Sequence, residues 1–365
     1  MFTKPFLNST AGLPLSRSLG PLSLLVALGL SLGACELFID EDPADGTPFA
    51  LATDQGSLQL LSGGTVSASL LWDAEIAAAG KASIASDGNS LFVGSGTEVN
   101  AFSQSSGAAL WTAPIDVAGD VVALAGPGQG AVYAMTLDGT LAALAVNDGS
   151  LLWSVDLLVG LPGSSDDALL FAAGALLLGG DPIRSLDPAD GSVRASYASG
   201  DSYVSDMAVV GSTLFAGLAD GVVALSVSSL SEQWRHDTAD EVDNLAVGSA
   251  SVFYSVVGQG VGLLTTTGNP VAEAGGDAVF EALAVSSENL LLGARSDGTL
   301  FAWDEAALAD VWSVPDLSTP VQGLVSNSNS VFYAHGLFVD GINLSDGSSL
   351  WIYTSPGNPV GLLGL

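Results

Sequence analysis

The residues of this chain with the chemistry for catalysis or metal binding are few and scattered. There is one cysteine, Cys35, and there are two histidines, His236 and His335. A zinc site draws several ligands from His and Cys, and two histidines far apart in the chain do not supply them. His236 lies between Arg235 and Asp237 just past the Trp234 run, and His335 lies in "VFYAHGLF" near a hairpin. Both read as strand-end residues, with neither a serine-glycine elbow nor an acid partner. The acid pairs Asp166-Asp167 and Glu241/Asp243 would hold a cation weakly and read more simply as solvated turns. In "ELFIDEDPADGT" the acids at 40, 42 and 45 miss the spacing of a calcium loop, and no glutamate stands at the twelfth position. No catalytic residue, metal site or cofactor is expected from these patterns. What remains is the stretch "AVYAMTLDGTLAALAVNDGSLLWSV", Ala131 to Val155, whose Asp138-Gly139 and Asp148-Gly149 pairs resemble ligands and whose Trp153 resembles a stacking platform.

That punctuation recurs through the chain. Trp72, Trp111, Trp153, Trp234, Trp312 and Trp351 are spaced 39, 42, 81, 78 and 39 residues apart. The two double gaps each hide a unit, with Gly191 and Gly268 aligned to Gly149 and with Ala195 and Ala272 at the tryptophan position. A period near 40 means a propeller or solenoid array. Five positions before the turn an apolar residue recurs at Phe102, Leu144, Leu186, Leu225, Leu263, Trp303 and Ile342. Each unit reads as four short strands, as in "VVALAG", "AVYAMT", "TLAALAV" and "SLLWSV". Asp138-Gly139, Asp148-Gly149, Asp190-Gly191, Asp220-Gly221, Asp297-Gly298 and Asp346-Gly347 become hairpin turns, where a left-handed backbone is cheapest for Gly, Asn and Asp.

The fold class expected is all-β, an eight-bladed propeller of four-stranded antiparallel blades. Its first unit starts at a second strand, "TPFALATDQGSLQLL", while "PGNPVGLLGL" follows the last complete unit. Pairing of Val360–Leu363 beside Pro48–Thr53 would close the ring and remove its exposed edges.

Composition agrees with a large core, with 48% hydrophobic residues and 45 glycines in 365. Charge is lopsided, 39 acids against 7 Lys and Arg, a formal net charge of −32. Nucleic acid is excluded as a partner, since its binding needs clustered cations. An electrostatic grip on an anionic membrane is excluded on the same ground. Two readings of the acidity stand, a solvated surface suited to a salty medium and a basic protein partner.

Residues 1–34 carry no acid, with Lys4 and Arg17 ahead of "LSLLVALGLSLGA", an apolar run too short to span a bilayer. The run ends in "LGAC" at Cys35, which resembles the bacterial lipobox. That resemblance implies a lipoprotein signal peptide at 1–34 and lipidation of Cys35. An acidic tether at 35–46 and the propeller at 47–365 would follow. The alternative is an ordinary buried thiol. Several acyl chains would make membrane attachment stable. The mature chain would keep five bases, Lys81, Arg184, Arg194, Arg235 and Arg295, against all the acids.

The unit "AVYAMTLDGTLAALAVNDGSLLWSVDL" resembles the PQQ-type propeller repeat, as do "NSLFVGSGTEVNAFSQSSGAALWTAPID" and "NSVFYAHGLFVDGINLSDGSSLWIY". A lipobox ahead of eight such blades is similar in architecture to the BamB-like propeller lipoproteins of the outer-membrane β-barrel assembly machinery. The resemblance implies a monomeric propeller in the bacterial cell envelope, lipid-anchored at the outer membrane and bound to another envelope protein. It also implies that the tryptophans dock between adjacent blades, where an indole buries wide apolar area and its N–H can meet a backbone carbonyl. Quinoprotein dehydrogenases share the propeller. They hold pyrroloquinoline quinone (PQQ) near the axis, over calcium and against a disulfide that this chain, with one cysteine, cannot form. A scaffold and a channel ligand protein are the two functions left. Convergent charged or aromatic residues lining the axis would favour the second, and small residues the first.

Overall fold

The apolar runs of each repeat become strands whose burial depends on their place in the sheet. In the computed structural model, residues 46–157, 169–198, 200, 204–315 and 319–365 are described. They form eight four-stranded antiparallel sheets. Second and third strands are buried on both faces, as in Ser90–Ser95, Ala131–Thr136 and Gly221–Ser226. A strand covered on both sides reads as a continuous apolar run. Outermost strands alternate instead, as in Leu151–Asp156 and Val193–Tyr197. One side of each packs on a neighbour and the other meets water.

Blade 1 takes Thr47–Thr53, Ser57–Gly63 and Ala68–Glu75 from the start of the propeller and Pro359–Gly364 from the C-terminus. Blades 2 to 8 follow in order: Ala82–Asp116, Val121–Asp156, Leu169–Tyr197, Val204–Asp237, Val242–Ala274, Phe280–Val314 and Val321–Thr354. In each the chain runs from the inner strand outward. The inner strands of successive blades touch one another around a complete circuit, that of blade 8 meeting Pro359–Gly364 and that in turn meeting blade 2. The expected strands close the ring, with Ala50 opposite Leu363 and Leu51 opposite Leu362, and a bulge where Thr53 meets Pro359. Both oxygens of Asp54 accept from Asn358, one from its backbone N–H at 2.9 Å and the other from its amide at 2.8 Å.

The core lies between blades. Phe92 and Val99 of blade 2 pack with Val121, Val132 and Leu144 of blade 3. Phe49 and Leu51 of blade 1 pack with Phe332 and Trp351 of blade 8. Trp303, aligned with the recurrent apolar position and not with the tryptophan marks, is buried in strand three of blade 7 opposite Leu291.

Three expectations need correction. The fourth strand of blade 2 is reduced to Ile115–Asp116, because Pro114 has no N–H to pair and breaks the run after Trp111. Asp220-Gly221 does sit at a hairpin, but Gly221 is outside the left-handed region. Glycine is required there because a Cβ would lie 2.3 Å from the carbonyl oxygen of His236. Asp243 is not in a turn but in the inner strand Val242–Val247, half-buried. Burial, and secondarily the Asp240 charge, pushes its carboxyl upward.

The chain divides into two units, Met1–Glu41 and Asp42–Leu365. The signal segment at 1–34, Cys35, the tether through Asp45 and the Asp166-Asp167 pair lie outside the described residues.

Candidate functional site

Three places follow from the sequence: the blade junctions marked by tryptophan, the axial channel, and the histidines. At the junctions each indole N–H donates to a backbone carbonyl in the third-to-fourth-strand turn of blades 2, 3, 4, 6 and 8, or in the matching turn of blade 1. Trp72 reaches Gln104 at 2.8 Å, Trp111 reaches Val146 at 2.9 Å and Trp153 reaches Pro188 at 3.0 Å. Trp234 reaches Thr266 at 2.9 Å, Trp312 reaches Leu344 at 2.7 Å, and Trp351 reaches Gly64 at 2.8 Å across the closure. The turn receiving the ring carries a glycine at positive φ in five cases. A Cβ on Gly107, Gly149, Gly191, Gly268 or Gly347 would stand 2.6–2.9 Å from the incoming indole. The Asp-Gly pairs of these turns are Asx turns. Asp148, Asp190 and Asp346 each accept from the N–H two residues on, at 2.9 Å. Hydrogen bonds from Ser150, Ser192 and Ser348 hold these exposed carboxyls below their usual range. One oxygen of each, Oδ1, is engaged in the turn.

Ala195 and Ala272 lack the indole, and the turn they face is changed to match. Leu230 and Leu308 replace the glycine, at φ 51° and 53°. Leu230 packs with Ala195 in the core between blades 4 and 5, and Leu308 with Ala272 between blades 6 and 7. Sequence spacing located the two alanines, and the leucine at the glycine position was the available signal for their partners.

A cavity of about 1220 Å³ beside the inner strands is lined from blades 1, 2, 3, 4 and 8. Its wall is mostly small and aliphatic: Ala82, Ser83, Ala125, Gly323, Gly361 and Leu363 are typical. Lys81 is the one base and Phe171 the one aromatic ring among the lining residues. The part of the wall given by these five blades does not fit PQQ, whose carboxylates want several cations and whose flat rings want a stacking pair. Among the described residues no group of three or more His, Cys, Asp and Glu is placed to hold a metal ion.

Polar side chains on several inner strands are committed elsewhere. An inner strand has no strand beyond it, so its edge N–H groups need acceptors. Asp206 Oδ2 accepts from the N–H of Leu245 in the next blade at 2.8 Å, and Glu281 Oε2 from that of Val321 at 3.1 Å. Ser83 Oγ does the same for Leu124 at 2.9 Å, and Asn244 donates to the Phe280 carbonyl at 3.0 Å. Each of these polar residues is the second or third of its inner strand, the sign of this brace in the sequence.

His335 has an acid neighbour, contrary to the sequence reading. Its Nε2 lies 3.4 Å from Asp340 Oδ2, which also accepts the Tyr333 hydroxyl at 3.1 Å. The hairpin pairs Tyr333 with Asp340 and His335 with Phe338, bringing the acid within reach. The ring stacks on Tyr333, and its Nδ1 lies 3.1 Å from Thr319 Oγ1, so it ties the inter-blade linker to blade 8. His236 faces blade 6, with Nε2 3.1 Å from the Tyr254 hydroxyl. Arg235 on the opposite side bonds Asp237 at 2.9 Å and also pairs with Asp220.

A family model described as outer membrane protein assembly factor BamB matches residues 62–216 and 138–275. Among solved structures, BamB from Moraxella catarrhalis superposes with a TM-score of 0.64 at 16% identity, covering 77% of this chain and 88% of that one. The quinohemoprotein alcohol dehydrogenase ADHIIG from Pseudomonas putida HK5 gives 0.60 at 13%, covering 78% and 68%. Apo AztD from Citrobacter koseri gives 0.67 at 10%, covering 88% and 98%. At such identities the likeness is one of fold. No curated protein matches the sequence.

Proposed function

The chain belongs to the family of the outer membrane protein assembly factor BamB, and from that membership we propose that it is a non-enzymatic, lipid-anchored scaffold of the bacterial envelope. Its anchor is the acylated Cys35, its site of action the outer membrane, and its work is to hold another envelope protein during outer-membrane protein assembly. The observation that carries this reading is where the polar and apolar groups lie. The cavity wall contributed by blades 1, 2, 3, 4 and 8 is mostly small and aliphatic. The outer strands present apolar side chains to solvent: Leu151 is 60% exposed, Leu152 54%, Val193 54% and Ile352 64%. Exposed apolar residues on rigid sheet edges suit docking, and a partner strand can add main-chain hydrogen bonds there.

Crosslinking in intact envelopes followed by mass spectrometry is the direct test. The expected outcome is one recurrent envelope protein, crosslinked through outer strands or their loops. Repeated recovery of no partner would remove the scaffold reading. Labelling with a radioactive fatty acid should mark the native chain and not Cys35→Ser. Addition of PQQ with calcium should leave the melting temperature unchanged, and an upward shift would turn the reading toward the quinoprotein class.

A further inference from the structure

The junction between blades 5 and 6 contains a notch of about 240 Å³. His236 and Thr238 of blade 5 line it, with Tyr254, Val256, Gly262 and Glu273 of blade 6. The repeat shows how this junction differs from the two that follow it. Across the second, third and fourth strands, blade 6 reads Tyr254, Gly262, Glu273, and blade 8 reads Tyr333, Asp340, Ile352. The same row in blade 7 is Gly293, Phe301, Ser313. Where blades 7 and 8 carry a ring or a carboxylate in the third strand, blade 6 carries Gly262, over which the Tyr254 ring lies. Two residues further along the second strand, on the same face, stand Val256 in blade 6, Arg295 in blade 7 and His335 in blade 8.

Blade 7 shows what fills this place when the chain fills it itself. The Arg295 guanidinium stands 5.4 Å from the Phe301 ring and 5.7 Å from both Phe280 and Trp303. These are cation–π distances. In blade 6 the cation is missing while groups suited to one remain. Glu273 supplies a carboxylate close enough that, after burial, its charge raises the Tyr254 hydroxyl pKa. Tyr254 and His236 supply two rings with centroids 5.6 Å apart. We propose that this notch binds a guanidinium group, presented as an arginine side chain by the protein that the scaffold holds. The inference rests on the scaffold reading for its source of arginine, and on the notch alone for its chemistry. A planar guanidinium can bond Glu273 and lie against a ring at once, which a compact ammonium does less well.

The test is a titration of the detergent-solubilised full chain with N-acetyl-argininamide and, separately, N-acetyl-norleucinamide, read by ligand-observed NMR. Arginine amide should bind in the millimolar range and norleucine amide at least about tenfold more weakly, as loss of one charge-assisted contact predicts. Glu273→Gln should weaken the arginine probe by about tenfold. Val256→Arg, which copies the blade 7 arrangement, should abolish its binding. Glu273 is exposed, so its variant tests the site even where the core substitution impairs folding. Equal binding of the two probes, or an affinity indifferent to Glu273→Gln, overturns the proposal. If the variants lose the probe but envelope crosslinking recovers no partner, the notch stands as a guanidinium site and the scaffold falls. If a partner is recovered equally by wild type and Glu273→Gln while the probe does not bind, the scaffold stands and the notch falls.

Discussion

The junction of blades 3 and 4 and the junction of blades 4 and 5 solve one packing problem from opposite sides. In the first, Trp153 projects forward over Gly191 and bonds the Pro188 carbonyl. In the second, Ala195 projects almost nothing and Leu230 reaches back from the turn. The turns themselves are alike. Gly191 donates its N–H to the Asp187 carbonyl at 2.8 Å, and Leu230 donates to Ser226 at 2.7 Å. The backbone is thus conserved within the molecule while side-chain volume moves across the interface. The exchange has a cost, since a leucine at φ 51° pays about 1–2 kcal/mol that glycine does not. It also loses the indole hydrogen bond. The 4/5 junction gains another tie, the Tyr197 hydroxyl donating to Glu232 at 2.7 Å. The 6/7 junction repeats the exchange with Ala272 and Leu308. Complementarity, and not tryptophan as such, is what a junction requires.

The strongest way to break this comparison is to mix the two solutions. Gly191→Leu alone places a large side chain at φ 72°, with its Cβ 2.7 Å from the Trp153 ring. Backbone strain and overpacking together should cost about 4 kcal/mol by denaturant unfolding. Adding Trp153→Ala converts the junction to the Ala/Leu kind. The double variant should then cost less than the sum of the two single variants, by a coupling energy of about 2 kcal/mol. Additive costs would show that volume exchange is not what relates the junctions.

Truncation on either side gives the next effects in size. Trp111 is buried and bonded, so Trp111→Ala should cost about 3 kcal/mol. Leu308→Ala should cost about 2 kcal/mol, since the small residue keeps the strained φ and leaves a cavity. Leu308→Gly removes the same packing but relieves the backbone, so it should be no less stable than Leu308→Ala. A glycine variant less stable by more than about 1 kcal/mol would mean that φ 53° carries no strain there.

Periodicity made the blade count, the closure and the tryptophan positions readable, because each is a one-dimensional property of the repeat. Ala195 and Ala272 were readable as gaps, but Leu230 and Leu308 were not recognised as their fillers. That pairing joins residues 35 or 36 positions apart and is visible only when adjacent blades are superposed. The Asp206 and Glu281 braces were missed for a similar reason: an acid in an apolar inner strand reads as a local exception until the unpaired N–H of the next blade is placed beside it. The pairing of His335 with Asp340 depends on hairpin register, which spacing alone does not give. The blade 5/6 notch is lined by residues from two blades, His236 and Thr238 with Tyr254 and Glu273, which spacing along one repeat does not bring together.

The smallest expected effect separates the junctions by pH. Three of the glycine turns carry a carboxylate directly before the glycine, Asp148, Asp190 and Asp346, whereas Ser229 and Ala307 precede Leu230 and Leu308. Hydrogen bonds depress the carboxyl pKa of these three aspartates below the ordinary value near 3.9. Their contribution to stability is therefore complete above that unfolded value and disappears as pH falls through the lower folded value. Glu241 and Asp243 act in the opposite sense, because burial raises both, so their contribution is lost as pH rises. A difference between variants cancels that background. Asparagine keeps the Asx-turn acceptor and does not titrate, so Asp148→Asn, Asp190→Asn and Asp346→Asn combined should match the wild type near neutral pH. It should then lose less stability between about pH 5 and pH 2, moving the acid unfolding midpoint downward. The same substitution at Ser229 should leave that midpoint in place, since no carboxylate is removed there. An unchanged midpoint in the triple variant would show that the turn carboxylates bond equally well in the unfolded chain, and that the acid response comes from elsewhere in the propeller.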